Sequence, residues 1–248
     1  MSPKGRPEDE SAPQREAQRD IQIDSEAFIV PQWQGSERVR ALFTTRAIDV
    51  PSEDLRAALP TDPLWLTQVH GNACIDVDRL VGAPPPADAA VTRSPKVAIT
   101  VRTADCLPVL LGDRAGTVVG VAHAGWRGLA AGVLEATIDA MGVAPREIAA
   151  WIGPAIGPAR FEVGADVFDA YCANDASCAV HFKPLREGKW LADLAGLARQ
   201  RLARAGVTRI DGGAWCTHTD VERFHSYRRE KGTGRMALVA WLEDEHAR

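Results

Sequence analysis

Two imidazoles and one thiol stand at the ends of β-like runs in three separate stretches of this sequence. These are Thr67-Gln68-Val69-His70-Gly71 at the end of a strand, Thr103-Ala104-Asp105-Cys106-Leu107-Pro108 between two strands, and His123-Ala124-Gly125-Trp126-Arg127-Gly128 after a strand and before a helix. Strand-to-turn junctions are where a rigid scaffold presents working side chains. His70, Cys106 and His123 make a donor set that suits zinc and leaves a fourth position for water or substrate. Ligands drawn from distant segments fit an open catalytic site better than a closed structural one. Spacing alone leaves a plainer account standing, a buried cysteine and two hydrogen-bonded core histidines. Without metal, the same trio reads as a Cys106 nucleophile with His123 or His70 as its base.

The neighbours of these residues extend the chemistry. Asp105 can orient a ligand histidine, carry a proton, or satisfy N–H groups of its own turn. Gly125, Arg127 and Gly128 lead into a helix whose free N–H groups and positive end can hold a phosphate. The alternative is a tight turn, with Arg127 paired to a carboxylate. Arg46 ends an early strand and is a candidate substrate clamp or a surface ion pair. In Ser226-Tyr227-Arg228-Arg229, Arg228 is the substrate-binding candidate, and a structural role is expected of at least one of the two arginines. Cys216 and His218 alternate to one face of a possible strand, where a polar strand end is the plainer account than a second metal site.

The elements that must position these residues are short. Strands are expected at Val39–Thr45, Leu64–Val69, Cys74–Val77, Val97–Val101, Pro108–Leu111, Thr117–Ala122, Ile148–Ile152, Val180–Lys183, Arg209–Trp215 and Met236–Trp241. Each is rich in Val, Ile, Leu or Thr and bounded by turn residues. Helices are expected at Leu129–Met141, Ala165–Ala173 and Leu191–Ala205, the first and third closed by Gly142 and Gly206. Strands and helices are mixed rather than strictly alternating, which favours α+β over a doubly wound parallel sheet. Residues 1–26 are nearly free of large apolar side chains and read as a disordered tail. Residues 27–248 then form a single catalytic domain.

Bulk properties exclude several classes. A 248-residue chain that is 46% hydrophobic can bury a sizeable core. A net charge of -4 argues against a nucleic-acid partner. No apolar run reaches membrane-span length and no signal-peptide pattern opens the chain, so no membrane partner and a cytoplasmic location are expected. The five cysteines are odd in number and lack a CxxC pair, which points to reduced thiols. Neither GxGxxG after a strand nor GxxxxGK[ST] is present.

The stretches "TQVHG", "TADCLPVLL", "AHAGWRGLAAGVLE", "WIGPAIGPARFEVG" and "SYRREKGTGRMA" resemble the family variously called multicopper polyphenol oxidase, laccase-domain protein, peptidoglycan editing factor and purine nucleoside phosphorylase. The resemblance runs from about Val30 to Trp241, in order. It implies a four-layer α+β sandwich, metal ligation by His70, Cys106 and His123, and Arg46 at the mouth of the site. One departure stands out. Thr44-Thr45-Arg46 is followed by Ala47-Ile48-Asp49 and a short link to Leu64, where the family usually carries a "GGVS" loop and a longer segment. That predicts a reshaped substrate-facing rim.

The resemblance also implies function. The leading expectation is a zinc-dependent purine nucleoside phosphorylase acting on adenosine, inosine, guanosine or methylthioadenosine, with adenosine deamination as a second activity. Its partners would be a small-molecule nucleoside and phosphate, and its state a monomer or weak homo-oligomer. An editing hydrolase that removes serine from a UDP-muramoyl precursor is the second enzymatic reading. Copper in place of zinc would allow slow phenol oxidation. A true multicopper oxidase needs His-x-His pairs, however, and the six histidines here form none. The zinc cytidine deaminase signature is absent. A non-catalytic binding protein is the remaining class; it would leave three ligand-type residues at strand ends without a purpose.

Overall fold

A computed structural model describes residues 26–173 and 175–244. The amino-terminal tail expected from composition lies, apart from Glu26, outside the described residues, as does His246.

Among the described residues, three sheets are built. The first contains β1 (Phe28–Ile29), β2 (Val39–Thr44), β3 (Pro63–Trp65), β6 (Ala98–Thr103) and β14 (Met236–Leu242), in the order β1-β2-β14-β6-β3. The second contains β4 (Cys74–Asp76), β5 (Ala89–Thr92), β7 (Leu107–Asp113), β8 (Val119–Ala124), β9 (Ile148–Ile152) and β13 (Arg209–Gly212), in the order β13-β9-β7-β8-β5-β4. The third is small: β10 (Glu162–Gly164), β11 (Phe182–Arg186) and β12 (Lys189–Ala192), with β12 central. The α-helices are α1 (Glu53–Ala57), α2 (Trp126–Ala131), α3 (Val133–Met141), α4 (Ala165–Cys172) and α5 (Leu194–Arg204). Parallel and antiparallel pairs coexist in both large sheets, as in β3–β6 and β14–β6. The architecture is α+β.

Alternation along each strand sorts side chains into layers. Leu110, Val119, Val121 and Trp151 of the second sheet meet Phe43, Ile99, Val101 and Leu238 of the first. The opposite phase, Val109, Leu111, Ala122 and Ala150, packs with Val133, Leu134 and Ile138 of α3 and Leu197 of α5. Leu55 of α1 joins Leu42, Ala98, Ala237 and Val239 on the outer face of the first sheet. The layers therefore run helix, sheet, sheet, helix, with the first layer thin. Because both faces of β7 and β8 are covered, these strands read as continuous apolar runs instead of alternating ones. Among the described residues, no helix is long and apolar enough to cross a membrane.

Element boundaries differ from expectation for local reasons. The helix expected at Leu129–Met141 is two helices, because Gly132 adopts φ 96° between α2 and α3, a conformation open to glycine at little cost. The helix expected from Leu191 starts at Leu194, where Asp193 accepts from the Gly196 N–H at 2.8 Å. Residues Lys189–Ala192 instead form the middle of the third sheet. The strand expected to reach Val69 ends at Trp65. Beyond it the Gln68 side chain, not its backbone, pairs with Arg102, accepting from its N–H and donating to its carbonyl, both at 2.8 Å. The strand expected to reach Trp215 stops at Gly212, since Gly212 and Gly213 take φ 77° and 80°. The strand β5 was not expected at all, its Ala-Ala-Val-Thr being too short and weak a signal. The departure after Arg46 is occupied by α1, capped by Ser52.

Trp151 holds the two large sheets together. It is 1% exposed and touches Phe43 and Trp215 at ring separations of 6.4 and 6.1 Å. Trp151→Ala is expected to destabilise the fold by about 3–5 kcal/mol in urea titration; a loss under about 1 kcal/mol would show that this inter-sheet contact is not a main prop.

Candidate metal centre

On β8 the alternation that turns Val119 and Val121 into the space between the large sheets turns His123 there as well, at the end where β6 crosses over to β7. His123 is 3% exposed, and its Nδ1 lies 2.7 Å from Oδ1 of Asp88, which is wholly buried just before β5. Asp88 does more than hold one ring. Its carboxylate also accepts from the N–H groups of Val69 at 3.1 Å, His70 at 2.9 Å and Gly71 at 2.7 Å. The loop that carries His70 is thus wrapped around the same carboxylate that orients His123. His70 has φ 60°, a strained choice for a residue with a Cβ, and these hydrogen bonds offset that strain.

Cys106 sits in the β6–β7 turn. The preceding residue, Asp105, has φ 83°. Its carboxylate accepts from Thr217 Oγ1 at 2.6 Å, Ser226 Oγ at 3.0 Å and the Arg228 N–H at 2.6 Å. Asp105 therefore ties the cysteine turn to the 217–228 segment, while the carboxylate that orients a histidine is Asp88. Two glycines are required by close approach. A Cβ on Gly125 would stand 3.1 Å from both Cys106 Sγ and His70 Cδ2, and one on Gly128 would stand 2.5 Å from the Gly71 carbonyl oxygen.

The donor atoms of His70, Cys106 and His123 all lie within 4.8 Å of one another, and Cys106 Sγ is 3.9 Å from His70 Nε2. A tetrahedral zinc with Zn–S near 2.3 Å and Zn–N near 2.05 Å separates sulfur from nitrogen by about 3.6 Å. The trio fits such an ion with small adjustments, and it is the one group of this kind among the described residues. His70 is exposed, so the group opens to solvent. Burial opposes a Cys106 thiolate, yet the hydrogen bonds and charges of His123 and His70 outweigh it and bring the thiol down to about 6. Burial likewise opposes an imidazolium at His123, but Asp88 and Cys106 push it up to about 9. Burial works to raise Asp88, and the bonds from His123, Gly71 and Val69 reverse this, leaving it below its ordinary value.

The group forms part of the wall of a cavity of about 530 Å³ that is also lined by Gln68, Arg102, Thr103, Ala104, Tyr227 and Arg235. A slightly larger cavity, about 590 Å³ beside Trp33, Arg40 and Trp241, opens at the opposite end of the first sheet and contains none of the three donors. Arg46, Arg127 and Arg228 do not line the donor cavity. Arg46 donates to the Val221 carbonyl, Arg127 lies over the Trp126 ring at 4.3 Å, and Arg228 donates to the Glu162 carbonyl at 2.9 Å. Arg229 donates to the carbonyls of Thr217, His218 and Phe224, a structural role. Cys216 accepts from the Gly157 N–H. Sequence reasoning passed over Asp88, Arg102, Tyr227 and Arg235. Asp88 was the most accessible of these, a lone carboxylate at the head of the apolar run Ala89-Ala90-Val91.

Fold and site together define a class: an α+β sandwich with a His-Cys-His group, able to hold a metal, at the end of its inter-sheet space. The chain belongs to the family described as multi-copper polyphenol oxidoreductase laccase, whose profile matches residues 46–243. It is 44% identical to a Pseudomonas aeruginosa protein named purine nucleoside phosphorylase PA4543, over 88% of this chain and 99% of that one. It is 47% identical to the Escherichia coli purine nucleoside phosphorylase YfiH, over 87% of this chain and 98% of its relative. Among solved structures, Neisseria meningitidis protein NMB0706 superposes with a TM-score of 0.83 at 42% identity, covering 88% of this chain and all of that one.

Two outcomes follow from the Asp88 arrangement. Asp88→Asn should weaken metal binding roughly 10–100-fold in a chelator competition, and unchanged affinity would remove Asp88 from the centre. In metal-free protein the Cys106 thiolate is present above about 6 and lost below it, so alkylation of Cys106 should reach half its maximal rate near pH 6. A midpoint at the ordinary thiol value would contradict the described environment.

Proposed function

We propose that this chain is a zinc-dependent purine nucleoside phosphorylase in which His70, Cys106 and His123 hold the metal. The observation that carries the reading is the convergence of these three donors on one wall of a cavity large enough for a small molecule. The names of relatives that align over nearly their whole length support it.

In phosphorolysis an oxygen of phosphate forms a bond to C1′ of the ribose as the C1′–N9 bond breaks, giving ribose 1-phosphate and the free purine. Zinc, when bound, supplies a fixed positive charge with an open coordination position. The chain supplies the rest. Asp88 locks His123 in one orientation through Nδ1, leaving Nε2 for the centre. The β6–β7 turn presents Cys106 as a thiolate, the form that ligates. Gly125 keeps the floor of the site free of side chains. The same centre would serve adenosine deamination, in which water replaces the C6 amino group and ammonia leaves. Inosine, adenosine, guanosine and methylthioadenosine are the substrates to assay. Asp105 is assigned a positioning role for the Cys106 turn.

A second reading has its own support. Cys106, His123 and Asp88 stand in the order nucleophile, base, orienting carboxylate, and the lowered thiol suits a cysteine hydrolase. Such an enzyme could remove serine from a UDP-muramoyl precursor.

Zinc-loaded protein should release hypoxanthine from inosine only when phosphate is added. Chelation, or Cys106→Ala, should lower that rate by roughly 100-fold or more, beyond the loss expected for an outer partner of the metal. Absence of phosphate-dependent base release from every nucleoside named would overturn the phosphorylase reading. Serine release from UDP-muramoyl-L-serine that survives chelation would establish the hydrolase in its place.

A further inference from the structure

The wall of the cavity beside the donor group is cationic. Its lining contains two guanidinium groups, Arg102 and Arg235, and no Asp or Glu. Among the described residues the Arg102 guanidinium makes no hydrogen bond or ion pair; it rests over the Trp65 ring at 5.8 Å. Its backbone is fixed by the two bonds with the Gln68 amide. Arg235 spends Nη1 on the carbonyls of Thr233 at 2.8 Å and Gly234 at 3.1 Å and lies over the Tyr227 ring at 5.7 Å. Its Nε and Nη2 make no hydrogen bond to a described residue.

Strand register brings the two arginines together. Arg102 pairs with Ala237, and Met236, which follows Arg235, pairs with Thr103. Arg235 directly precedes β14, and the register continued by one residue would set it diagonal to Arg102, roughly 7–8 Å away between Cα positions; both arginines line the one cavity. One tetrahedral oxyanion between two forked guanidinium groups spans such a gap. A third group reaches the same cavity from the other face of β6, since alternation turns Thr103 toward the inter-sheet space and Arg102 away from it. Thr103 lines the same cavity at 1% exposure, and its Oγ1 has no hydrogen-bond partner. A buried hydroxyl without a partner and two neighbouring cations are both costly unless a ligand satisfies them.

We propose that Arg102, Arg235 and Thr103 form an oxyanion subsite for inorganic phosphate beside the His70-Cys106-His123 group. The site that the sequence suggested, the amino end of α2 with Arg127, is a different place: α2 has six residues, and its Arg127 lies over Trp126. The identity of the anion as the phosphate of phosphorolysis rests on the phosphorylase reading; the binding itself does not. An electropositive rim also draws anions in from solution, an effect that weakens with salt.

The test is calorimetric titration of inorganic phosphate into the full chain, metal-free and zinc-loaded, for wild type, Arg102→Gln, Arg235→Gln and Arg102→Lys. Metal-free wild type should bind phosphate. Each glutamine variant should bind it at least about 10-fold more weakly, with unchanged zinc content and melting temperature, and Arg102→Lys should recover part of the loss. In steady state, the KM for phosphate should rise in the glutamine variants while the KM for inosine stays within about twofold, a split that general damage to the fold would not give. Phosphate binding that vanishes with the metal, or that is equal in wild type and both glutamine variants, overturns the subsite. Phosphorolysis with an unaltered phosphate KM in the variants also overturns the subsite and leaves the phosphorylase reading standing. Phosphate held by the two arginines without base release from any purine nucleoside sustains the subsite and removes that reading.

Discussion

A single buried carboxylate organises the centre. Asp88 is closed off from water and satisfies four donors at once: the ring of His123 and the N–H groups of Val69, His70 and Gly71. A carboxylate in such a place is tolerated only when its lone pairs are filled. Filling them requires the His70 loop to fold back over β8, so the hydrogen-bonding demand of Asp88 and the convergence of the two histidines are the same event. The backbone carbonyl of Asp88 adds to this by accepting from the His123 N–H at 2.7 Å. Loss of the carboxylate would free a loop and a ring together.

The two large sheets supply the frame on which that carboxylate acts. Burial on both faces leaves β7 and β8 little freedom of register, since a one-residue slip would turn His123 into the helix-facing layer and expel an apolar side chain from it. The crossing from β6 to β7 places Cys106 at the same end of the inter-sheet space, and the Asp105 carboxylate anchors that turn to Thr217, Ser226 and Arg228. Two acidic residues therefore serve two halves of one site. Asp88 fixes the histidines, and Asp105 fixes the cysteine turn against the segment that carries Tyr227.

Electrostatics give the site two poles. At the donor group, negative charge on Asp88 and on the Cys106 thiolate favours a cation, whether a metal or the His123 imidazolium. At the rim, Arg102 and Arg235 favour an anion. On the proposed reading, these two poles would set an anion beside a group able to hold a metal. The described residues build one such group of three donors.

The sequence by itself determined the α+β class, the placement of most strands, and the three donor-bearing stretches, because each of these is written in local pattern: runs of branched apolar residues, glycine stops, and motifs several residues long. It did not determine that His70 leaves strand geometry, that one expected helix is two, or that β5 exists, since these depend on a single positive φ or on pairing partners far along the chain. It left Asp105, next to Cys106, open between orienting a histidine, carrying a proton and satisfying its own turn, whereas tertiary structure brings Asp88 to His123 from 35 positions away. The cationic rim was likewise beyond local reading. Arg102 and Arg235 come together only through the pairing of β6 with β14, while Arg46, Arg127 and Arg228, the arginines to which the sequence points, are occupied by carbonyls and rings. Residue type and neighbourhood in the chain determine what a side chain can do; only the long-range pairing of strands decides which of them face the same cavity.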